Sequence, residues 1–194
     1  KECLTDLIFN FMLVKTESPF SHLSIEDLES NVTVIFPRYH QIRLVRGVDK
    51  DIKEGNKQST YLIQHSAGSG KTYSIAWLAQ KLIRLLDEKG EIYYDHVLIV
   101  TDRVVVVKQL DEVIRSVTRN EKLVADIKNT NDLKKSIESG KRIIVSTIQK
   151  FIQLKKMVDS LNKKNKRYAV LIDEAHSGQA GENSASLVDV LSES

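Results

Sequence analysis

A single cysteine, Cys3, leaves no internal disulfide to be made, so the 194-residue chain is expected to work in a reducing compartment. Proline occurs 2 times and glycine 8 times, too seldom for a collagen-like or linker-dominated design. No apolar run approaches the ~18 residues of a membrane span, and no charged-then-apolar signal segment opens the chain. Excess charge is scarce as well: 29 Lys+Arg against 26 Asp+Glu give a net +3, which does not by itself demand a nucleic-acid partner. What is present, 41% hydrophobic and 28% charged residues, is the make-up of a soluble globular protein. The length suits one domain with a short appendage. A cytoplasmic location without membrane attachment is the expectation.

Periodicity divides the chain in two. Leu4, Leu7, Ile8, Phe11 and Met12 recur at helical spacing, so residues 4–14 are expected to form an amphipathic helix. Pro19 lies in the break after it, and Ser24 with Asp27 reads as the cap of a short helical turn. Residues 32–36 are a brief β-branched run. A helix beginning near Pro37 would carry Tyr39, Ile42, Val45, Val48 and Ile52 on one face and stop at Gly55.

Beyond Gly55 the pattern becomes strand, loop, helix. Strands are expected at 61–64, 96–101, 142–146 and 168–172, with a weak one at 123–125. Helices are expected at 72–87, through Val107, Leu110, Val113, Ile114 and Val117, at 132–139 up to Gly140, and at 148–161. Apolar strands alternating with helices imply a mainly parallel sheet covered on both faces, an α/β fold. Right-handed crossovers then put all the strand carboxyl ends on one edge.

Two motifs fall on that edge. His65-Ser-Ala-Gly-Ser-Gly-Lys-Thr72 matches the phosphate loop G-x-x-x-x-G-K-[ST] except at its first position. Gly68 and Gly70 let the backbone of Ala67, Ser69 and their neighbours close around phosphate oxygens at a helix start, where the dipole also favours negative charge. Lys71 would reach the β- and γ-phosphates, and the Thr72 hydroxyl would ligate Mg²⁺. Asp173-Glu174-Ala175-His176 follows the strand at 168–172. Asp173 would hold Mg²⁺, and Glu174 would orient and deprotonate water. A phosphotransferase must exclude water, so a water-activating carboxylate beside the metal ligand favours hydrolysis of a nucleoside triphosphate over a small-molecule kinase.

Asp-Glu-Ala-His behind a phosphate loop resembles the motor core of superfamily 2 helicases and translocases. A longer series resembles the restriction (R, motor) subunit of type I restriction–modification enzymes. Its members are Phe36-Pro-Arg-Tyr-His-Gln41, Ile63-Gln-His-Ser-Ala-Gly-Ser-Gly-Lys-Thr72, Thr101-Asp-Arg103 with Gln109, Ile143-Ile-Val-Ser-Thr-Ile-Gln-Lys-Phe151 and Ile172-Asp-Glu-Ala-His-Ser-Gly-Gln179. A histidine at the first loop position is familiar in that family. The resemblance implies a RecA-like P-loop NTPase fold and an ATP-driven translocase on double-stranded DNA, with methyltransferase and specificity subunits as partners. It implies adenine recognition by Gln41, DNA contact by Arg103, Thr147 and Gln149, and coupling of the γ-phosphate to a partner domain by His176.

On the same basis residues 1–33 would be a helical lead-in from a nuclease domain, and residues 34–194 the first motor domain of a longer protein. The chain departs from the family in having Ser177-Gly178 after the acidic box, where an arginine is common. No acidic pair followed by Glu-x-Lys precedes Val34, so the nuclease centre is expected elsewhere. Other readings of single residues stay open. Gln41 suits a solvated helix surface, Arg103 a helix start, Thr147 and Gln149 a helix cap, and the basic run 155–167 a solvated face. Trp77, at helical spacing from Tyr73, reads as core, and His65 as a loop residue satisfied by backbone. A superfamily 2 helicase in repair or RNA remodelling, or a nucleotide-binding scaffold without catalysis, are the alternative functions.

Overall fold

The computed structural model describes residues 2–16, 32–55, 60–125, 132, 135–136, 139–147, 149–150 and 166–174. Its centre is a parallel sheet of three strands in the order β4-β3-β5. Strand β3 (His96–Thr101) lies between β4 (Ile143–Thr147) and β5 (Tyr168–Ile172). Every residue of β3 is buried, as a strand covered on both faces requires. The register sets Val97 and Ile99 beside Ile143 and Val145 on one side and Ala169 and Leu171 on the other. These six share one face of the sheet; Val97, Ile99, Ile143 and Val145 belong to the main core, and the half-buried Ala169 and Leu171 pack against it. Leu98, Val100 and Ile144, on the opposite face, are also buried.

The helices follow their sequence periods. Helix α1 (Glu2–Asp6) runs into a π-helical turn, Leu7–Phe11. Helix α2 (Tyr39–Lys53) buries Gln41, Val45 and Val48, whereas Tyr39 stays exposed. Helix α3 (Lys71–Ile83) buries Ala76, Trp77, Leu78, Ala79, Leu82 and Ile83, and α4 (Val104–Thr118) buries Leu110, Ile114 and Val117. Helices α2 and α4 both pack against α3. None of the helices among the described residues is long and apolar enough to cross a membrane.

Several expected boundaries move, each for a local reason. The first helix ends at Phe11 because Leu13–Thr16 becomes strand β1, paired antiparallel with β2 (Val32–Ile35). Helix α3 stops at Ile83 instead of continuing to Asp87, whose carboxylate accepts the backbone N–H groups of Lys89 and Glu91 and holds a tight turn. Residues 61–64 form no strand, and Leu62 is 93% exposed. At 123–125 the strand shrinks to one parallel bridge, Val124 to Ile143, after a 3₁₀ turn Glu121–Leu123. Most of the helices expected at 132–139 and 148–161, the cap at Ser24 and Asp27, and most of the basic run lie outside the described residues; Asp132, Lys135, Ser136, Gln149 and Lys150 are described and helical.

The N-terminal segment is part of the core. Phe11 and Leu13 are buried at 5% and 3% exposure. Phe11 packs on Trp77 with ring centroids 6.1 Å apart, and Trp77 lies 5.5 Å from Tyr73 along α3. Arg119 Nη2 ties the same segment down by donating to the Met12 carbonyl at 2.8 Å. Phe11→Ala is therefore expected to lower the unfolding free energy by about 3–5 kcal/mol in denaturant titration. An unchanged midpoint would mean that the segment does not stabilise the domain.

At the opposite edge, His96 is held as a neutral ring. Its Nδ1–H donates to the Lys141 carbonyl at 3.0 Å, and its Nε2 accepts from the Lys166 ammonium at 3.2 Å. Burial, then the Lys166 charge, push its pKa below the ordinary value. The unfolded chain therefore takes up a proton at higher pH than the folded one, and this group's contribution weakens as pH falls through about 6.5. Unfolding free energy is expected to drop between pH 7 and pH 5, and His96→Gln to flatten that dependence. Identical pH profiles for the two proteins would contradict the assignment.

Candidate active site

The site forms where the start of α3 meets the end of β5. Gly68 and Gly70 adopt φ of 71° and 81°, a left-handed backbone open to glycine at little cost. Ser69, between them, is buried and donates its N–H to the Ser66 carbonyl at 3.2 Å. Gly70 caps α3, accepting from the N–H groups of Tyr73 and Ser74. The loop thus delivers Lys71 and Thr72 as the first two helical residues. A helix start leaves backbone donors without intrahelical partners, which suits an anion.

Strand β5 supplies the opposing charges. The Asp173 N–H donates to the Val100 carbonyl at 2.8 Å, extending the ladder one residue past the strand. Strand alternation would send Asp173 and Glu174 to opposite faces. Glu174 breaks the alternation with φ of 56°, a conformation that costs a non-glycine residue about 1–2 kcal/mol. Both carboxylates then reach the same cation. Lys71 Nζ hydrogen-bonds Glu174 Oε1 and lies 3.6 Å from Asp173 Oδ1. The bond to Glu174, joined by the neighbouring carboxylate charges, outweighs desolvation and holds the Lys71 pKa above its usual value.

Asp173 is 8% exposed, and its Oδ1 is buried without a hydrogen bond. A carboxylate oxygen left in that state fits a divalent cation, whose other ligands would come from phosphate, water and the Thr72 hydroxyl. Among the described residues no three His, Cys, Asp or Glu side chains cluster as a metal site.

The remaining residues singled out from the sequence divide. His65 pairs through Nδ1 with Ser69 Oγ at 3.1 Å, a side-chain partner where a backbone one was expected, and its ring lies edge-on to His40. Burial, then the charges of His40 and Lys71, lower its pKa. Gln41 is 3% exposed, with its amide turned onto the loop backbone. Ala67 is exposed on the loop, and Trp77 is core at 2% exposure. Arg103, exposed at the N-cap of α4, shares the carboxyl edge with Thr147 at the end of β4. Thr147 is buried beside Thr101, whereas Gln149 is exposed. His176 lies outside the described residues. Lys166 and Arg167, at the end of the basic run, sit at the amino edge of β5, away from the carboxyl edge. There they bond His96, Asp95 and the Ile92 carbonyl. Sequence reasoning passed over Arg38 and His40, whose one signal was their place beside Gln41.

A mixed α/β chain whose glycine loop presents a lysine to two carboxylates has the groups an ATPase requires. The family model for the SWI2/SNF2 ATPase matches residues 40–194, and the chain belongs to that family. It is also similar to the C-terminal part of the type I restriction enzyme MpnIIP endonuclease subunit of Mycoplasma pneumoniae. The two are 33% identical over 173 residues, covering 78% of this chain and 77% of that protein.

A Cβ at Gly70 would lie 2.8 Å from Gln41 Nε2, on a backbone that side chains already disfavour. Gly70→Ala is expected to cost about 1–2 kcal/mol of unfolding free energy in denaturant titration. Full retention of stability would show that the loop is not held in this conformation.

Proposed function

We propose that this chain is the ATP-hydrolysing motor of a type I restriction endonuclease R subunit, the first RecA-like domain of a superfamily 2 translocase. The observation that carries the reading is Lys71 facing Asp173 and Glu174 between the glycine loop and the end of β5. The similarity to a type I restriction subunit supports the biological setting. Double-stranded DNA would be the track, and methyltransferase and specificity subunits the partners, in the cytoplasm.

Each residue has a role in this chemistry. Lys71 leaves its carboxylate partners and neutralises the β- and γ-phosphate oxygens of ATP. The N–H groups at the start of α3 bind the same oxygens. Thr72 and Asp173 would hold Mg²⁺, which supplies charge neutralisation on the phosphates when bound. Glu174, released from Lys71, holds the attacking water and accepts its proton as the oxygen bonds to the γ-phosphorus and ADP departs. Arg103, Thr147 and Gln149 lie along the carboxyl edge or just beyond it, where motion at the phosphate site would reach DNA. For Thr147 the backbone or a small rearrangement must make that contact, since its side chain is buried.

The test is Glu174→Gln in the full-length protein, with ATP binding, ATP turnover and displacement of a third strand from a DNA triplex measured together. Turnover is expected to fall by about 10²–10⁴-fold and triplex displacement to vanish, with ATP binding retained. Wild-type protein that binds ATP without turnover or displacement would instead favour a nucleotide-binding scaffold. Turnover without displacement would argue against translocation.

A further inference from the structure

Behind the phosphate site, the N-terminal segment, α2 and the second half of α3 surround a cavity of about 240 Å³. Asn10 and Phe11 of the π-helical turn form one wall, Arg46 and Asp49 of α2 a second, and Trp77 and Lys81 of α3 the third. At the helical rise per residue, Trp77 and Lys81 lie roughly 9–15 Å along α3 from Lys71. The cavity is therefore separate from the phosphate loop.

Two polar atoms in these walls lack partners. Trp77 is 2% exposed, and its Nε1–H is buried with no hydrogen-bond acceptor among the described residues. Asp49 Oδ1 is likewise buried without a donor, while Lys53 and Lys81 both approach Oδ2, each at 3.1 Å. A buried indole donor or carboxylate oxygen is costly to leave unpaired, and native interiors seldom do so. The two together call for an occupant that brings one acceptor and one donor.

The walls also define its chemistry. Two lysines already neutralise Asp49, so a neutral N–H suits Oδ1 better than a further cation. Arg46, Lys81 and Arg84 stand against Asp6 and Asp49 in the lining, which disfavours a cationic occupant again. Phe11, Val45 and Trp77 offer apolar and aromatic surface to a flat body. The volume falls below the ~300–1,000 Å³ of drug-sized pockets, so one or two fused rings are enough to fill it. The side chains of Arg46 and Lys81 are 43% and 39% exposed, which opens a way in from solvent.

We propose that this cavity is a binding site for a small flat lactam or imide, a ring with an N–H beside a C=O. The C=O accepts from the Trp77 indole N–H, and the ring N–H donates to Asp49 Oδ1. Such an occupant ties the N-terminal segment to α2 and α3. The site uses neither Lys71 nor the acidic pair, so it stands independently of nucleotide binding.

The experiment titrates 2-quinolone into the full-length protein by calorimetry, with Mg²⁺ and a non-hydrolysable ATP analogue present to fill the nucleotide site. The matched probe is 1-methyl-2-quinolone, which keeps the C=O and has no N–H. Saturable binding of 2-quinolone is expected, with the methylated probe weaker by about 10-fold or more. Trp77→Phe and Asp49→Ala are each expected to weaken 2-quinolone by roughly 3–10-fold. The Trp77 indole N–H resonance, assigned with Trp77→Phe, is expected to move downfield, and the thermal midpoint of wild-type protein to rise. Where a variant fails to unfold cooperatively, the two probes on wild-type protein still decide. Equal affinity for both probes, or an indole resonance that stays in place at saturation, would overturn the proposal. So would the absence of binding, which leaves the cavity to ordered water. Binding that vanishes when the ATP analogue is added would place the probe in the nucleotide site and overturn it too.

Discussion

The parallel pairing of β5 with β3 is the constraint on which the site depends. Val100 opposite Ile172, with the Asp173 N–H on the Val100 carbonyl, fixes where the acidic pair leaves the sheet. A slip of one residue would exchange the faces of Ala169 and Leu171 and lose their place beside Val97 and Ile99 in the core. Apolar burial in the strand interior thus sets the position of two carboxylates at its end. In the same way, the burial of Trp77, Leu78 and Ile83 seats α3 and hence the lysine at its start. Charge and core are positioned together.

The glycine loop is supported from two directions. On its carbonyl side the first turn of α2 supplies three donors, and His65 reaches Ser69 Oγ from within the loop itself. On its helical side, Phe11 and Tyr73 pack around Trp77, so the N-terminal segment contributes to the stability of the same helix. Lys71 resting on Glu174 and Asp173 is neutralised by groups that a triphosphate must displace. Positive φ at Glu174 makes that pairing possible at a local conformational cost.

Much of this was legible in the sequence where burial and period agree. Residues 96–101 and 168–172 are strands because a continuous apolar run of that length fits a parallel sheet, although only the central strand is buried along its whole length. The helices of Val45 and Val48 and of Leu110 and Ile114 show a clear apolar stripe. Juxtaposition of Lys71 with Asp173 and Glu174 followed from parallel topology. Elsewhere the decisive contact is distant in sequence. Leu13 fits a helical pattern but pairs with Ile35. Residues 61–64 look apolar, yet Leu62 and Ile63 are exposed and no ladder partner occurs among the described residues. The helix before Asp87 ends early because its carboxylate organises a turn, a competition that apolar spacing does not record. Nothing in the pattern around Gln41 discloses that its amide meets a carbonyl in the loop before α3, nor that Arg38 and His40 join it.

The central claim is that α3 and β5 build one metal–triphosphate site, and manganese tests it most directly. With Mn²⁺ in place of Mg²⁺, free Mn²⁺ is followed by electron paramagnetic resonance as a non-hydrolysable ATP analogue is added to the protein. The account predicts stoichiometric Mn²⁺ uptake only with the nucleotide present, lost alike in Thr72→Ala and Asp173→Ala. Uptake that survives both substitutions would place the metal elsewhere and contradict it.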